Sequence, residues 1–112
     1  MNNIVYRIEG RDYNIVEYTI LHNPMNLQNI LTNPKLNPNL KNAKQETVLH
    51  ILLRTIYCEQ TIDVFMKKHN KKIDYNIKDF LEISVKELAI AYSKNGCSSK
   101  KRMATIILSY IN

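Results

Sequence analysis

The sequence predicts an all-α fold, a solenoid of helix-turn-helix units stacked side by side and joined by hairpin loops. Three observations carry this expectation. Three segments with apolar residues at helical spacing superpose on one another, each broken near its middle. The connectors repeat too, since Leu36-Asn37-Pro38-Asn39-Leu40-Lys41-Asn42 aligns without a gap on Ile73-Asp74-Tyr75-Asn76-Ile77-Lys78-Asp79. Finally, all three prolines, Pro24, Pro34 and Pro38, fall between helical segments, where a missing N–H and a fixed φ are harmless.

Residues 1–12 precede the first helical pattern and read as a short cap or the stub of an earlier hairpin. The first unit then runs from Asn14 to Leu21, breaks at His22-Asn23-Pro24, and resumes from Met25 to Leu31. Leu27, Ile30 and Leu31 share one helical face. Pro34 and Pro38 end that unit, and Asn37 and Asn39 are suited to a turn because Asn bonds its own backbone. Thr47 stands where an N-cap would accept backbone N–H bonds, at the head of a helix to Arg54 with Leu49 and Leu52 inward. After a break from Thr55 to Glu59, a second helix covers Thr61 to Met66, lengthened by three residues around His69 to Lys71. The third unit pairs Ser84–Tyr92 with Ser99–Tyr110 across a break at Ser93 to Ser98. No helix pair of this kind buries its apolar face alone, so about three stacked units are the least that should be stable. The chain therefore reads as one domain over residues 1–112, with repeats near 9–38, 39–75 and 76–112 and the first and last as caps.

Composition agrees with a folded domain and excludes several classes. Of 112 residues, 45% are hydrophobic and 23% charged, which argues against a disordered chain. No apolar run approaches the roughly 18 residues of a membrane span, and Met1 to Arg7 lacks a signal-peptide pattern. These features predict a soluble, cytoplasmic monomer. Cys58 and Cys97 have no CxxC or Cys/His spacing and read as reduced, partly buried thiols, while His22, His50 and His69 form no HExxH pair. Gly10 and Gly96 are isolated, so there is no phosphate-binding glycine loop, and no G-x-S-x-G elbow occurs. Catalysis by Cys58 with His50 is not expected, because the helix between them holds them about 12 Å apart. No enzyme activity, cofactor or metal is expected. Tyr6, Tyr13, Tyr18, Tyr57, Tyr75, Tyr92 and Tyr110 read as half-buried packing or interface residues rather than a base-stacking platform.

Net charge is +6, much of it in Lys67, Lys68, Lys71, Lys72 and in Lys100, Lys101 and Arg102. Clusters like these mostly mark a solvated face. A surface binding nucleic acid or an anionic membrane is the alternative.

Thr47-Val48-Leu49-His50 resembles the T-P-L-H-x-A signature of the ankyrin repeat, and both connectors resemble that family's A-D-V-N-A-x-D hairpin. The departures are that Ile15, Val48 and Val85 replace the usual proline, Glu17 and Glu87 replace the His, Lys86 stands at an apolar position, and Gln45 and Glu82 occupy hairpin-tip positions that usually hold glycine. Few glycines with many Asn, Ile, Lys and Tyr suggest an AT-rich genome, and degenerate repeats of this type resemble those of large DNA viruses and intracellular bacteria, which commonly act on host proteins in the host cytoplasm. No ubiquitin-ligase adaptor box is visible.

The resemblance implies a protein–protein interaction module that grips its partner with hairpin tips and the concave surface of each first helix. Carried over by alignment, the partner-facing positions are Lys41, Ala43, Lys44 and Glu46 in one tip and Lys78, Phe80, Leu81 and Ile83 in the next. Arg54 and Thr55 join them from the second repeat's first helix, with Leu21 and His22 from the first. Thr47 and His50 would pair to tie hairpin to helix, with Asn39, Asp74, Asn76 and Asp79 forming the turns. Phe80, Leu81 and Ile83 have two expected fates: a wet apolar contact surface, or a fold back that seals the end of the stack. A further alternative is that the repeats are one end of a larger multidomain protein.

Overall fold

Three helices begin where a short polar side chain stands just before an apolar residue. Asn14 and Ser84 accept the backbone N–H of Glu17 and Glu87, and Thr47 opens a capping box with His50. The computed structural model describes residues 5–8, 10–56 and 58–111. Among them are six α-helices: α1 (Ile15–His22), α2 (Leu27–Leu31), α3 (Val48–Thr55), α4 (Glu59–His69), α5 (Val85–Asn95) and α6 (Ser98–Ile111). Single 3-10 turns at Pro24–Asn26 and Asn70–Lys72 lead into α2 and out of α4.

The fold is mostly helical, with one departure. Residues expected to form a cap or hairpin stub contain two antiparallel strands, β1 (Val5–Ile8) and β2 (Arg11–Asn14), pairing Val5 with Asn14 and Ile8 with Arg11. Gly10 turns the chain with φ +79, where a residue without Cβ is unstrained. Met1 to Ile4 and Tyr57 lie outside the described residues, as does the side chain of Tyr6. Tyr13, Tyr18, Tyr75, Tyr92 and Tyr110 are half-buried.

The helices form two rows. The first helices touch in the order α1, α3, α5, and the second helices in the order α2, α4, α6. This arrangement explains α3. The sequence marks Leu49 and Leu52 as its inward face, yet every residue from Val48 to Leu53 is buried. A helix hemmed in by neighbours on both sides and a second row behind has no polar face to show. Phe65 and Met66 of α4, Ala89 of α5 and Met103 and Ile107 of α6 complete the core, all fully buried.

Side chains from one unit cap the helix ends of another. The His69 Nε2 lies 2.8 Å from the Leu31 carbonyl at the end of α2, and the Lys100 ammonium donates to the Leu53 carbonyl in the last turn of α3. Lys100, expected in a basic surface cluster, is therefore buried, because its charge serves an orphan carbonyl and lies over the Tyr92 ring. Gly96 lets α5 and α6 approach closely. A Cβ there would lie 2.6 Å from the Tyr92 carbonyl oxygen and 2.8 Å from Lys100 Cβ.

Candidate functional site

Two loops of the same build project from the α2–α3 and α4–α5 connections. In the first, Asn37 Oδ1 accepts from the Asn39 N–H, and Asn42 Oδ1 accepts from the Lys44 and Glu46 N–H groups. In the second, Asp74 Oδ1 accepts from Asn76, and Asp79 Oδ1 from Leu81 and Ile83. Each loop closes through paired backbone bonds, Asn42 N–H to the Glu46 carbonyl and Asp79 N–H to the Ile83 carbonyl, both at 3.0 Å. The chain reverses through Gln45 (φ 61) and Glu82 (φ 62), the two tip positions at which the resemblance stated from the sequence implies glycine. Both residues hold the left-handed conformation, which costs a non-glycine residue about 1–2 kcal/mol.

The loops are bonded to each other. The Phe80 N–H donates to the Lys44 carbonyl at 2.9 Å, and Asn39 both donates to the Lys72 carbonyl and accepts from the Asp74 N–H. Asn39, Asp74, Asn76 and Asp79, expected as turn residues, all take part. Upstream, Asn14 Nδ2 donates to the Leu40 carbonyl and Asn42 Nδ2 to Glu17.

His50 and Glu17 occupy corresponding positions of their helices, and each reaches into the next loop. The Thr47 N–H donates to His50 Nδ1, which must therefore be unprotonated, so Nε2 carries the hydrogen and donates to the Ile83 carbonyl at 2.8 Å. The Thr47 hydroxyl lies 2.9 Å from the same Nδ1. Burial holds this imidazole below its ordinary pKa, against the opposing pull of the Ile83 carbonyl and Asp79, and so favours the neutral ring that the geometry needs.

Arg54 ties the two loops together by charge. Its guanidinium spans Glu46 Oε2 in one loop and Asp79 Oδ2 in the next, each at 2.6 Å. Burial works against the Asp79 carboxylate, but the Ile83 N–H, Arg54 and the Leu81 N–H outweigh it and hold its pKa below the ordinary value.

This network corrects three expectations. Glu46 is 8% exposed and bonds Arg54 and Asn42, so it is an anchor rather than a partner-facing residue. Arg54 is half-buried with both ends of its fork engaged. Ile83 packs on the core and gives its backbone to Asp79 and His50. The other expected positions are open to solvent: Lys41, Ala43, Lys44, Lys78 and Thr55 are exposed, and Phe80 and Leu81 are 53% and 55% exposed. Of the two fates considered for the apolar tip, Ile83 folds inward while Phe80 and Leu81 stay wet. The Lys44 ammonium sits 5.9 Å from the Phe80 ring centre. Leu21 and His22 are exposed at the end of α1, with the His22 ring 4.7 Å from that of Tyr18.

Asn42 was not singled out in the sequence, although its alignment with Asp79 in the superposed connectors was a visible signal. The charge bridge had no local signal, because Arg54 is remote in sequence from Asp79.

A separate surface cleft of about 360 Å³ lies between α2 and the start of α4, lined by Gln28, Cys58, Thr61 and Asp63 among others. Cys58 and Cys97 are both exposed rather than partly buried as expected, and hydrogen bonds from Thr61 lower the Cys58 thiol's pKa. No histidine lines the cleft, and His50 is committed to Thr47 and Ile83. Among the described residues no group of three His, Cys, Asp or Glu side chains could hold a metal ion, and no helix is long and apolar enough to cross a membrane.

Comparison with known proteins returned no matching family model, no matching curated protein and no matching solved structure.

Proposed function

We propose that this chain is an ankyrin-type repeat module that binds another protein through its two loop tips and the adjoining first-helix surface. Support comes from the equivalence of the loops. Corresponding Asx bonds, corresponding left-handed tip residues and a direct Phe80–Lys44 backbone bond make them neighbouring copies of one element. The observation that carries the reading is the exposure of Phe80 and Leu81 on a loop braced by His50, Arg54 and Asp79. A rigid loop holding two large apolar side chains in water is poised for contact, because little ordering entropy remains to be lost on binding.

The basic-surface reading draws less support. Lys100 is buried on the Leu53 carbonyl, Arg102 pairs with Glu59 at 3.2 Å and Lys67 with Asp63 at 3.0 Å, so of the two clusters Lys68, Lys71, Lys72 and Lys101 remain as exposed charges outside these contacts.

The test is affinity capture with the intact chain and with Phe80→Ser/Leu81→Ser, followed by mass spectrometry. The double variant should keep the wild-type far-ultraviolet dichroism and lose its bound proteins by about thirtyfold, the loss typical of removing an apolar anchor of about 2 kcal/mol. Capture of the same proteins in the same amounts by both forms would refute a tip-mediated function.

A further inference from the structure

The two tips together define what kind of partner fits them, and this inference rests on the tip-binding reading above. Lys41 and Lys78 occupy corresponding positions of the two loops, and both are exposed. Lys44 projects from the first tip over the Phe80 ring of the second. The acidic groups nearest in the chain do not offset these charges equally. Glu46 and Asp79 are turned inward onto Arg54, whose single positive charge offsets one of the two, leaving Glu82 as the exposed carboxylate of the tips. The outer surface is thus three lysines and one carboxylate, Glu82, around two apolar side chains, over an inner layer whose carboxylates are held on Arg54.

From this we infer that the partner is an acidic segment of another protein that carries one or two large apolar residues, its apolar side chains seated on Phe80 and Leu81 and its carboxylates facing Lys41, Lys44 and Lys78. Charge complementarity favours Asp and Glu in the partner. The exposed apolar pair requires something that buries it, which a chain of phosphates does not supply. Nucleic acid fits less well for two further reasons. Phe80 is the single aromatic residue of the tips, so no platform exists for stacking successive bases. Arg54, whose planar fork would suit phosphate best, is fully engaged by two carboxylates.

The experiment is selection of a random twelve-residue peptide library displayed on phage against the intact chain, with counter-selection on Phe80→Ser/Leu81→Ser. Peptides that depend on the tips should be enriched in Asp and Glu around Leu, Phe, Ile or Trp. A synthetic copy of the most enriched peptide, labelled with fluorescein, should lose at least about tenfold in affinity between low and high salt. It should lose about tenfold or more against Lys41→Glu/Lys44→Glu/Lys78→Glu, exposed substitutions that leave the fold intact by dichroism. Tip-dependent peptides with no acidic bias would overturn this inference while leaving the tip-binding function standing. Peptides retained equally by the double variant, or no enrichment at all, would overturn both. A fluorescein-labelled twenty-nucleotide oligo-dT that binds the tips as tightly as the peptide would overturn the assignment to an acidic protein.

Discussion

Replacing Arg54 with Ala should cost this fold more than the loss of an ordinary surface arginine. The Arg54 side chain is 20% exposed, but its partners Glu46 and Asp79 are 10% and 0% exposed, so the variant leaves two carboxylates facing each other in a nearly dry loop junction. Breaking a fully buried pair by removing one partner costs about 3–5 kcal/mol. Here that figure is reduced on two counts. Asp79 keeps its bonds from the Leu81 and Ile83 N–H groups, Glu46 keeps Asn42, and water can enter where the guanidinium was. A loss of about 2–3 kcal/mol follows. For a domain of this length that lowers Tm by about 8–12 °C. Urea denaturation of the wild type, Arg54→Ala, Asp79→Asn and the double variant isolates the mechanism. Asn at position 79 can still accept the two loop N–H bonds, as Asn42 does in the preceding loop. Once the charge is gone, Arg54→Ala should cost only about 1 kcal/mol, giving a coupling of about 1–2 kcal/mol. A single-variant loss below about 0.5 kcal/mol, or the same loss in both backgrounds, would show that the bridge is an ordinary surface pair and not a brace between loops.

Three further predictions follow from the same structure. Because His50 is held below its ordinary value of 6.5, folding is favoured fully above that pH and loses stability as pH falls below it, since the unfolded chain takes up the proton first; the loss levels off below the native-state value. The buried His69, lowered mainly by burial, acts in the same direction, and stability that stays flat between about pH 7 and 5 would refute both assignments. Gly96→Ala should destabilise by about 1–3 kcal/mol, because the added Cβ meets the backbone carbonyl of Tyr92 at 2.6 Å and backbone cannot rotate away; a neutral effect in thermal melts would exclude that close approach. Gln45→Gly and Glu82→Gly should each raise stability by up to about 1 kcal/mol by relieving left-handed strain, and a loss of similar size would mean that these side chains make contacts worth more than the strain.

Much of this molecule is legible in its sequence. Helix starts are local: Asn14, Thr47 and Ser84 each precede an apolar run, and a side chain that caps does so through neighbours three residues away. The turn residues Asn37, Asp74 and Asp79 bond backbone two to four residues on, so a superposition of the connectors finds them, whereas Asn39 reaches the backbone of the next loop. Strand pairing between Val5–Ile8 and Arg11–Asn14 is not legible in the sequence, because each strand has only four residues and Arg11-Asp12-Tyr13-Asn14 carries no apolar alternation. Tertiary structure alone decided which way the charged residues of the tips face. By sequence, Glu46 and Lys44 are equally polar and two positions apart, and Lys100 looks like Lys101. Packing turns Glu46 toward Arg54 and Asp79, and Lys100 toward the Leu53 carbonyl, leaving Lys44 and Lys101 in water. Burial of a charge depends on whether a distant residue arrives to neutralise it, and that partner is fixed by the stacking of units, not by the chain near the charge.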